Sequence, residues 1–474
     1  MFCVGARLIM NGLVFRAWQL WGLLLLVAST YGFADQVTVS SKEEFARAFA
    51  SAGAGDVIVL ASGEYSVYRL DTRAGGTASS PIVVRALVPG KAIVRATGIE
   101  LFVVHHSYWI FRDLVIRGHA NAEHAFHISG GGHHVRVLHN VITDFNAHLK
   151  INGEPGGFYP DGGVIEDNGL FNHGARNTSS PVTVIDLVAA SDWTVRGNFI
   201  ADFEKSGGNA TSYGIFMKGN SARGIIERNL VLCRAHGGGG QRVGISFGGG
   251  GTGVAYCRDQ VCADEHHDGV IRNNVVLNCS DVGIYLNKAA RSQVLNNTVL
   301  LTEGIDARFS ATSAQVRGNV LTGDVRIRDG GNAEVRGNLS FGNRRGLWLF
   351  GLFRRLSGHF DDLAEQNSEG LTSVAVRFPR AALAIMRTQI ARSRFGLGED
   401  KTLECFPGLG QANLTPASGC LGLTKDAAML ADDFWGHRRG ALTDIGAIDF
   451  QVSDGNLSSR MAGSSEDFFS QNKP

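Results

Sequence analysis

Four short phrases share a Gly-Ile start and a mostly polar finish: G-I-F-M-K-G at 214–219, G-I-S-F-G-G at 244–249, G-I-Y-L-N-K at 283–288 and G-I-D-A-R-F at 304–309. Read as strands, their alternation sends Ile215, Met217, Ile245, Phe247, Ile284, Leu286 and Ile305 inward. It sends Phe216, Lys218, Ser246, Tyr285, Asn287, Asp306 and Arg308 outward. Extending the register upstream adds His127 and Asp186, with His148 and Lys150; downstream it adds Arg326 and Arg328. If successive strands stack about 4.8 Å apart, these side chains form one stripe along a single sheet.

The stripe is polar and mostly basic with aromatic rings between the charges, which suits an anionic sugar chain: cations meet carboxylates and rings stack on sugar faces. β-Elimination along a uronate chain needs a base for the proton alpha to the carboxylate and positive charge to hold that carboxylate as negative charge builds. Lys218 is the candidate base, Arg308 or Arg242 the neutralising cation, and Tyr285 the proton donor to the leaving oxygen. His127, Lys150, Asp186, Phe216, Asn287, Arg326 and Arg328 are the candidate substrate-binding residues, with His127 and Asp186 able to support or replace Lys218. The plainer reading is an ordinary solvated sheet face, and a glycan-binding or scaffold protein without catalysis is the second class. A glycoside hydrolase needs two carboxylates facing each other, whereas Asp186 and Asp306 fall four coils apart, about 19 Å. Hydrolase therefore ranks below lyase, and with uronate epimerase it makes up the third reading.

The elements that would position this stripe are announced by a second pattern. An apolar-x-apolar pair running into asparagine recurs at Asn140, Asn168, Asn198, Asn229, Asn274, Asn297, Asn319 and Asn338, with Asp113 in the equivalent place one step earlier. The steps are roughly 20–30 residues, which predicts a solenoid of short strands rather than of helices. The asparagines would stack at one corner and bond to each other and to turn backbone. One step, from Asn229 to Asn274, is 45 residues long. It contains glycine runs, a Cys257/Cys262 pair and the sequence Asp264-Glu265-His266-His267-Asp268. A loop this long is expected to wall a binding groove. Asp264, Glu265 and Asp268 are candidate ligands for calcium, with a transition metal as the alternative and a solvated turn as the plainer reading. The glycines lack the pattern of a phosphate loop. Tyr159-Pro160-Asp161-Gly162-Gly163 reads as a turn.

Residues 1–34 read as an export signal, with Arg7 and Arg16 before an apolar run and a small-x-small site at 32–34; an uncleaved membrane anchor is the alternative. Six cysteines follow it, an even number that favours disulfides in an exported, periplasmic or extracellular chain. The favoured pairings are Cys257–Cys262, Cys405–Cys420 and Cys233–Cys279, with buried thiols as the alternative. A strand, a helix capped by Ser41 and a second strand over 37–63 are expected to cover the open end of the solenoid. The solenoid with its cap is expected over 35–342, helical additions over 343–433, a closing strand within 434–458 and a disordered tail over 459–474. A basic amphipathic helix within the helical additions would be a second way to touch a membrane. A net charge of +1 argues against nucleic acid as the partner. A monomer is expected.

The runs at 55–66, 75–86 and 89–94 (G-D-V-I-V-L-A-S-G-E-Y-S, G-G-T-A-S-S-P-I-V-V-R-A and P-G-K-A-I-V) resemble the opening of right-handed parallel β-helix polysaccharide lyases. The likeness is closest to the chondroitinase B and alginate lyase family. D-I-G-A-I-D-F at 444–450 resembles the closing strand of such proteins, so the resemblance spans 37–342 and 434–450. It implies an all-β solenoid, a right-handed parallel β-helix of about nine or more coils. It also implies a lysine base, an arginine on a following coil and often calcium. Met217-Lys218-Gly219-Asn220 with Glu227-Arg228-Asn229 is similar in part to the family's catalytic region and places the lysine at Lys218. The family arginine has no clean match.

Overall fold

A computed structural model describes residues 35–154, 156–234, 240–249, 252–321 and 323–340. The expectations for 1–34 and 343–474, including Cys405–Cys420, lie outside the described residues. Within them the chain winds as a right-handed parallel β-helix. One turn is representative: Trp109–Arg112 lies in the first sheet, Val115–Arg117 in the second and His124–Ser129 in the third, before the chain re-enters the first sheet at Arg136–Leu138. The three sheets hold 12, 11 and 10 parallel strands, in keeping with the nine or more coils expected.

The corner between the first and second sheets explains the asparagine period. Each ladder asparagine donates its Nδ2 to the Oδ1 of the next, from Asn140 to Asn168 at 3.2 Å through Asn319 to Asn338 at 2.8 Å. The same Oδ1 also accepts from the backbone N of the preceding ladder residue, as Asn198 Oδ1 does from Asn168 N at 3.0 Å. A buried amide that loses such partners costs about 1–3 kcal/mol, so few residue types fit here. The position before each asparagine is left-handed, with φ 56° at His139, 54° at Asp167 and 56° at Arg228. Asp113 takes that preceding position, at φ 64°. The ladder place in its coil belongs to Leu114, whose N donates to Asn140 Oδ1 at 3.0 Å. The alignment on Asp113 is therefore one residue early.

The inward residues of the Gly-Ile phrases are all buried. At the N-terminal end the helix Lys42–Ser51 closes the core, capped as expected by Ser41 Oγ accepting from Glu44 N at 3.2 Å. Its Phe45 and Phe49 bury against Tyr65, Phe102 and Trp109, with ring centroids 4.8–6.5 Å apart. Both described disulfides form as expected. Cys233–Cys279 ties neighbouring coils, and Cys257–Cys262 pins the long excursion after Gln241–Phe247.

Candidate functional site

The third sheet aligns the stripe in register. His127 pairs with Lys150, Lys150 with Asp186, Asp186 with Phe216, Phe216 with Ser246, Ser246 with Tyr285, Tyr285 with Asp306 and Asp306 with Arg326. A second row two residues further on holds Asn287, Arg308 and Arg328, and Lys218 pairs there with Val188. Asp186 and Asp306 do lie four strands apart, so no hydrolase pair forms between them.

At the centre, one buried carboxylate serves two ammonium groups. Lys150 Nζ donates to Asp186 Oδ2 at 2.5 Å, and Lys218 Nζ leans back to within 3.6 Å of Oδ1. Burial pushes the Asp186 carboxyl up, but the charges of Lys150 and Lys218 and the Lys150 hydrogen bond outweigh it and hold the group below the usual carboxylate range. The lysines remain partly accessible, at 23% and 21%. Together the three groups carry one net positive charge at the surface.

The aromatic residue expected to stack on sugar is not free to do so. Phe216 is buried: Tyr213 stacks on it at 4.4 Å, Lys218 Nζ lies 4.2 Å over its ring, and Gly249 crosses so closely that a Cβ there would fall 1.7 Å from the ring. The half-buried Tyr213 is the ring nearer the surface. Sequence alternation missed it because both Gly214 and Ile215 turn inward between Tyr213 and Phe216, breaking the strict period of two.

A wall stands beside Lys218. Arg258, on the long excursion, donates its backbone N to Gly219 O at 2.9 Å and pairs with Asp161 at 2.7 and 2.8 Å. Its guanidinium lies 4.3 Å over the Tyr159 ring, whose hydroxyl donates to Arg258 O. The stretch 159–163 is thus an anchor for the excursion rather than a plain turn. Exposed Phe158 and Tyr256, at 61% and 68%, flank this anchor. In the sequence Asp161 reads only as part of a turn and Arg258 is not singled out, because 97 residues separate them.

Two or three strands further on the groups are arranged differently. Tyr285 Oη accepts from Asn287 Nδ2 at 3.0 Å and from Arg308 at 3.4 Å, so its own hydrogen is left to donate outward. Asn287 itself is buried, as is Ser246, which donates to Gly248 O. Arg308 also pairs with Asp329, and Arg328 with the buried Asp306 at 2.5 Å. Arg326 approaches Glu303 and Asp306 at 3.7 and 3.9 Å.

Several expectations are corrected. Arg242 pairs in register with Ser212, six residues before Lys218 and about 20 Å back along the sheet. It is buried near Glu204, 3.9 Å away, and cannot serve the same site. His148 does not join the outer face: it is buried, its Nε2 meets Phe171 O at 3.1 Å, and burial lowers its pKa to about 4. Asp264, Glu265 and Asp268 do not converge. Glu265 is buried and accepts from Gly219 N, Asp264 offers its backbone carbonyl to Asn220, and Asp268 is taken by Arg291 and His267. Calcium needs six to eight oxygens, which these residues do not present together. His127 stands between Glu100 Oε1, 2.7 Å from Nδ1, and Asn152 Oδ1, 2.9 Å from Nε2.

The strand order defines a right-handed parallel β-helix, and two family models match parts of it. The chondroitinase B family model matches residues 39–152, and that of NosD, the periplasmic copper-binding protein, matches 240–351. Neither match reaches Asp186 or Lys218. No curated protein matches the chain. Among solved structures, pectate lyase Pel9A is similar at 14% identity over 65% of this chain and 81% of its own, with a TM-score of 0.44. A PL6 family polysaccharide lyase from Pseudopedobacter saltans is similar at 14% over 66% and 94%, with a TM-score of 0.37. An alginate lyase from Paenibacillus sp. str. FPU-7 is similar at 16% over 64% and 95%, with a TM-score of 0.38. At this distance the site has to be read from its own geometry.

Proposed function

We propose that this exported β-helix binds an acidic polysaccharide across the Lys150–Asp186–Lys218 cluster and cleaves it by β-elimination. The observation that carries the reading is the sharing of one buried carboxylate by two partly accessible lysines beside an anchored, aromatic-bearing wall. Lys150, rather than either arginine, is the cation placed to hold a uronate carboxylate near Lys218. In the form that has released a proton, Lys218 takes the hydrogen alpha to that carboxylate. The electrons of the broken C–H bond form a double bond as the neighbouring C–O bond to the next sugar breaks, and the leaving oxygen takes a proton from Tyr285 or water. The two disulfides support export to an oxidising compartment.

The test is to incubate the purified chain with a panel of uronate polysaccharides and follow the absorbance of the unsaturated uronate. Absorbance that rises with the intact chain and is lost in Lys218→Ala supports the reading; no absorbance and no new reducing ends on any substrate overturns it. One observation favours a second reading, glycan binding without cleavage. Tyr285 and Arg308 lie two and three strands from Lys218, dispersed along the sheet rather than gathered around it. Retention of a uronate polymer without new ends would select that reading.

A further inference from the structure

We infer that Glu100, His124 and His127 form a binding site for a first-row divalent transition ion such as Zn²⁺ or Cu²⁺. Among the described residues these three bring their ligand atoms within 4.8 Å of one another. The inference rests on its own geometry and does not depend on glycan cleavage.

The backbone prepares the cluster. His124 stands opposite Glu100 in register on the adjoining strand. Strict alternation would turn His127 to the opposite face from His124. Instead Ala125 and Phe126 are both buried, so the strand spends two successive residues inward and His124 and His127 share the outer side. Their rings lie 5.1 Å apart, and both Nδ1 atoms face the same carboxylate oxygen, Glu100 Oε1, at 3.0 and 2.7 Å. The other oxygen, Oε2, is occupied by Arg69 at 2.7 Å.

Hydrogen bonding defines what lies between these atoms. Asn152 donates its Nδ2 to Gly153 O at 3.1 Å, which fixes its amide so that Oδ1 faces His127 Nε2. That oxygen only accepts, so Nε2 carries the hydrogen. In a neutral His127 the Nδ1 lone pair then faces the carboxylate 2.7 Å away, a repulsion that a cation bound by both atoms would relieve. A metal-bound histidine that donates its other ring N–H to a fixed oxygen is the usual outer support of such a site. The alternative, with no ion, is that both Nδ1 atoms carry hydrogens and donate to Glu100 Oε1. Two imidazole nitrogens and one oxygen suit zinc, copper or nickel, while calcium demands an all-oxygen shell. His127 shares its outward row with Lys150, so remaining coordination positions face the same surface as the lysine cluster.

The test uses the purified full chain freed of metal. Calorimetry with Zn²⁺ is expected to show one ion per chain and no comparable binding of Ca²⁺. Cu²⁺ should give an electron paramagnetic spectrum with coupling to two imidazole nitrogens. His124→Gln with His127→Gln should weaken Zn²⁺ binding more than about 100-fold, and Asn152→Ala about 10-fold through loss of the outer support. His105→Gln with His106→Gln, on a neighbouring turn, should leave it unchanged. Absence of Zn²⁺ binding overturns the site, as does equal affinity for Ca²⁺ or loss of binding in the His105/His106 variant. Should the His124/His127 variant fail to fold, unchanged affinity in Asn152→Ala overturns it instead.

Discussion

In the middle of the third sheet Lys150 and Lys218 divide one buried carboxylate between them. Three and four strands beyond Lys218, Arg308 and Arg328 each have a carboxylate of their own in Asp329 and Asp306. Both regions read as a basic stripe in the sequence. They differ in how the charge is balanced and in what stands beside it. The central cluster has more cation than anion and lies against the Arg258–Asp161 anchor, so it retains an attraction for an incoming carboxylate. The later region is closer to internally neutral, and an anionic ligand there must compete with pairs already made. Residue types alone do not mark a binding face; unmatched charge in a fixed place does.

The largest effect that could break this contrast is on turnover. Lys218→Ala should lower uronate elimination at least about 100-fold, whereas Arg308→Ala should change it only a few-fold, measured by unsaturated-uronate absorbance. Equal losses would place the chemistry on the later strands. Next comes stability. Asp186→Ala strands two partly buried ammonium groups and should cost about 3 kcal/mol in urea unfolding. Asp306→Ala releases arginines that reach solvent and should cost about 1 kcal/mol. A reversal of that order would mean that the later pairs, not the central cluster, hold the sheet together.

Smaller still is the role of the wall. Cys257→Ser with Cys262→Ser should weaken glycan retention several-fold on affinity gels while leaving the coil stack folded, because the bridge closes a loop of only 5 residues in sequence separation. Retention unchanged would remove the wall from the site. Acid gives the last and most gradual test. Burial lowers the pKa of His148 to about 4 and of His266 to about 3. The unfolded chain takes up these protons near 6.5 and the folded chain does not, so stability should be complete above that pH and decline as pH falls toward 4. Asp186, held ionised below the usual range, should add its own loss only in stronger acid. A urea midpoint independent of pH between 7 and 4.5 would contradict the histidine assignment.

Much of the fold was written in the order of residues. The asparagine recurrence predicted the corner ladder because a buried amide that must both donate and accept leaves few residues that fit, and the Gly-Ile phrases predicted which side chains enter the core because a strand alternates strictly where it is regular. The cap helix and both described disulfides were legible for the same local reasons. The failures fall where local regularity ends. Leu114 sits in the ladder place beside Asp113 because the left-handed corner residue and the ladder residue are adjacent, and an acidic residue imitates either. Tyr213 and His124 reach the outer face through paired inward residues that alternation cannot anticipate. Burial of Phe216 beneath Gly249, the sharing of Asp186 by two lysines 68 positions apart in sequence, and the Arg258–Asp161 anchor depend on which coils lie side by side. Sequence determined the period and the kinds of residue facing outward, since both follow from the geometry of one strand. Tertiary structure alone decided which charges cancel and which remain, because that depends on distances between strands that the chain order does not contain.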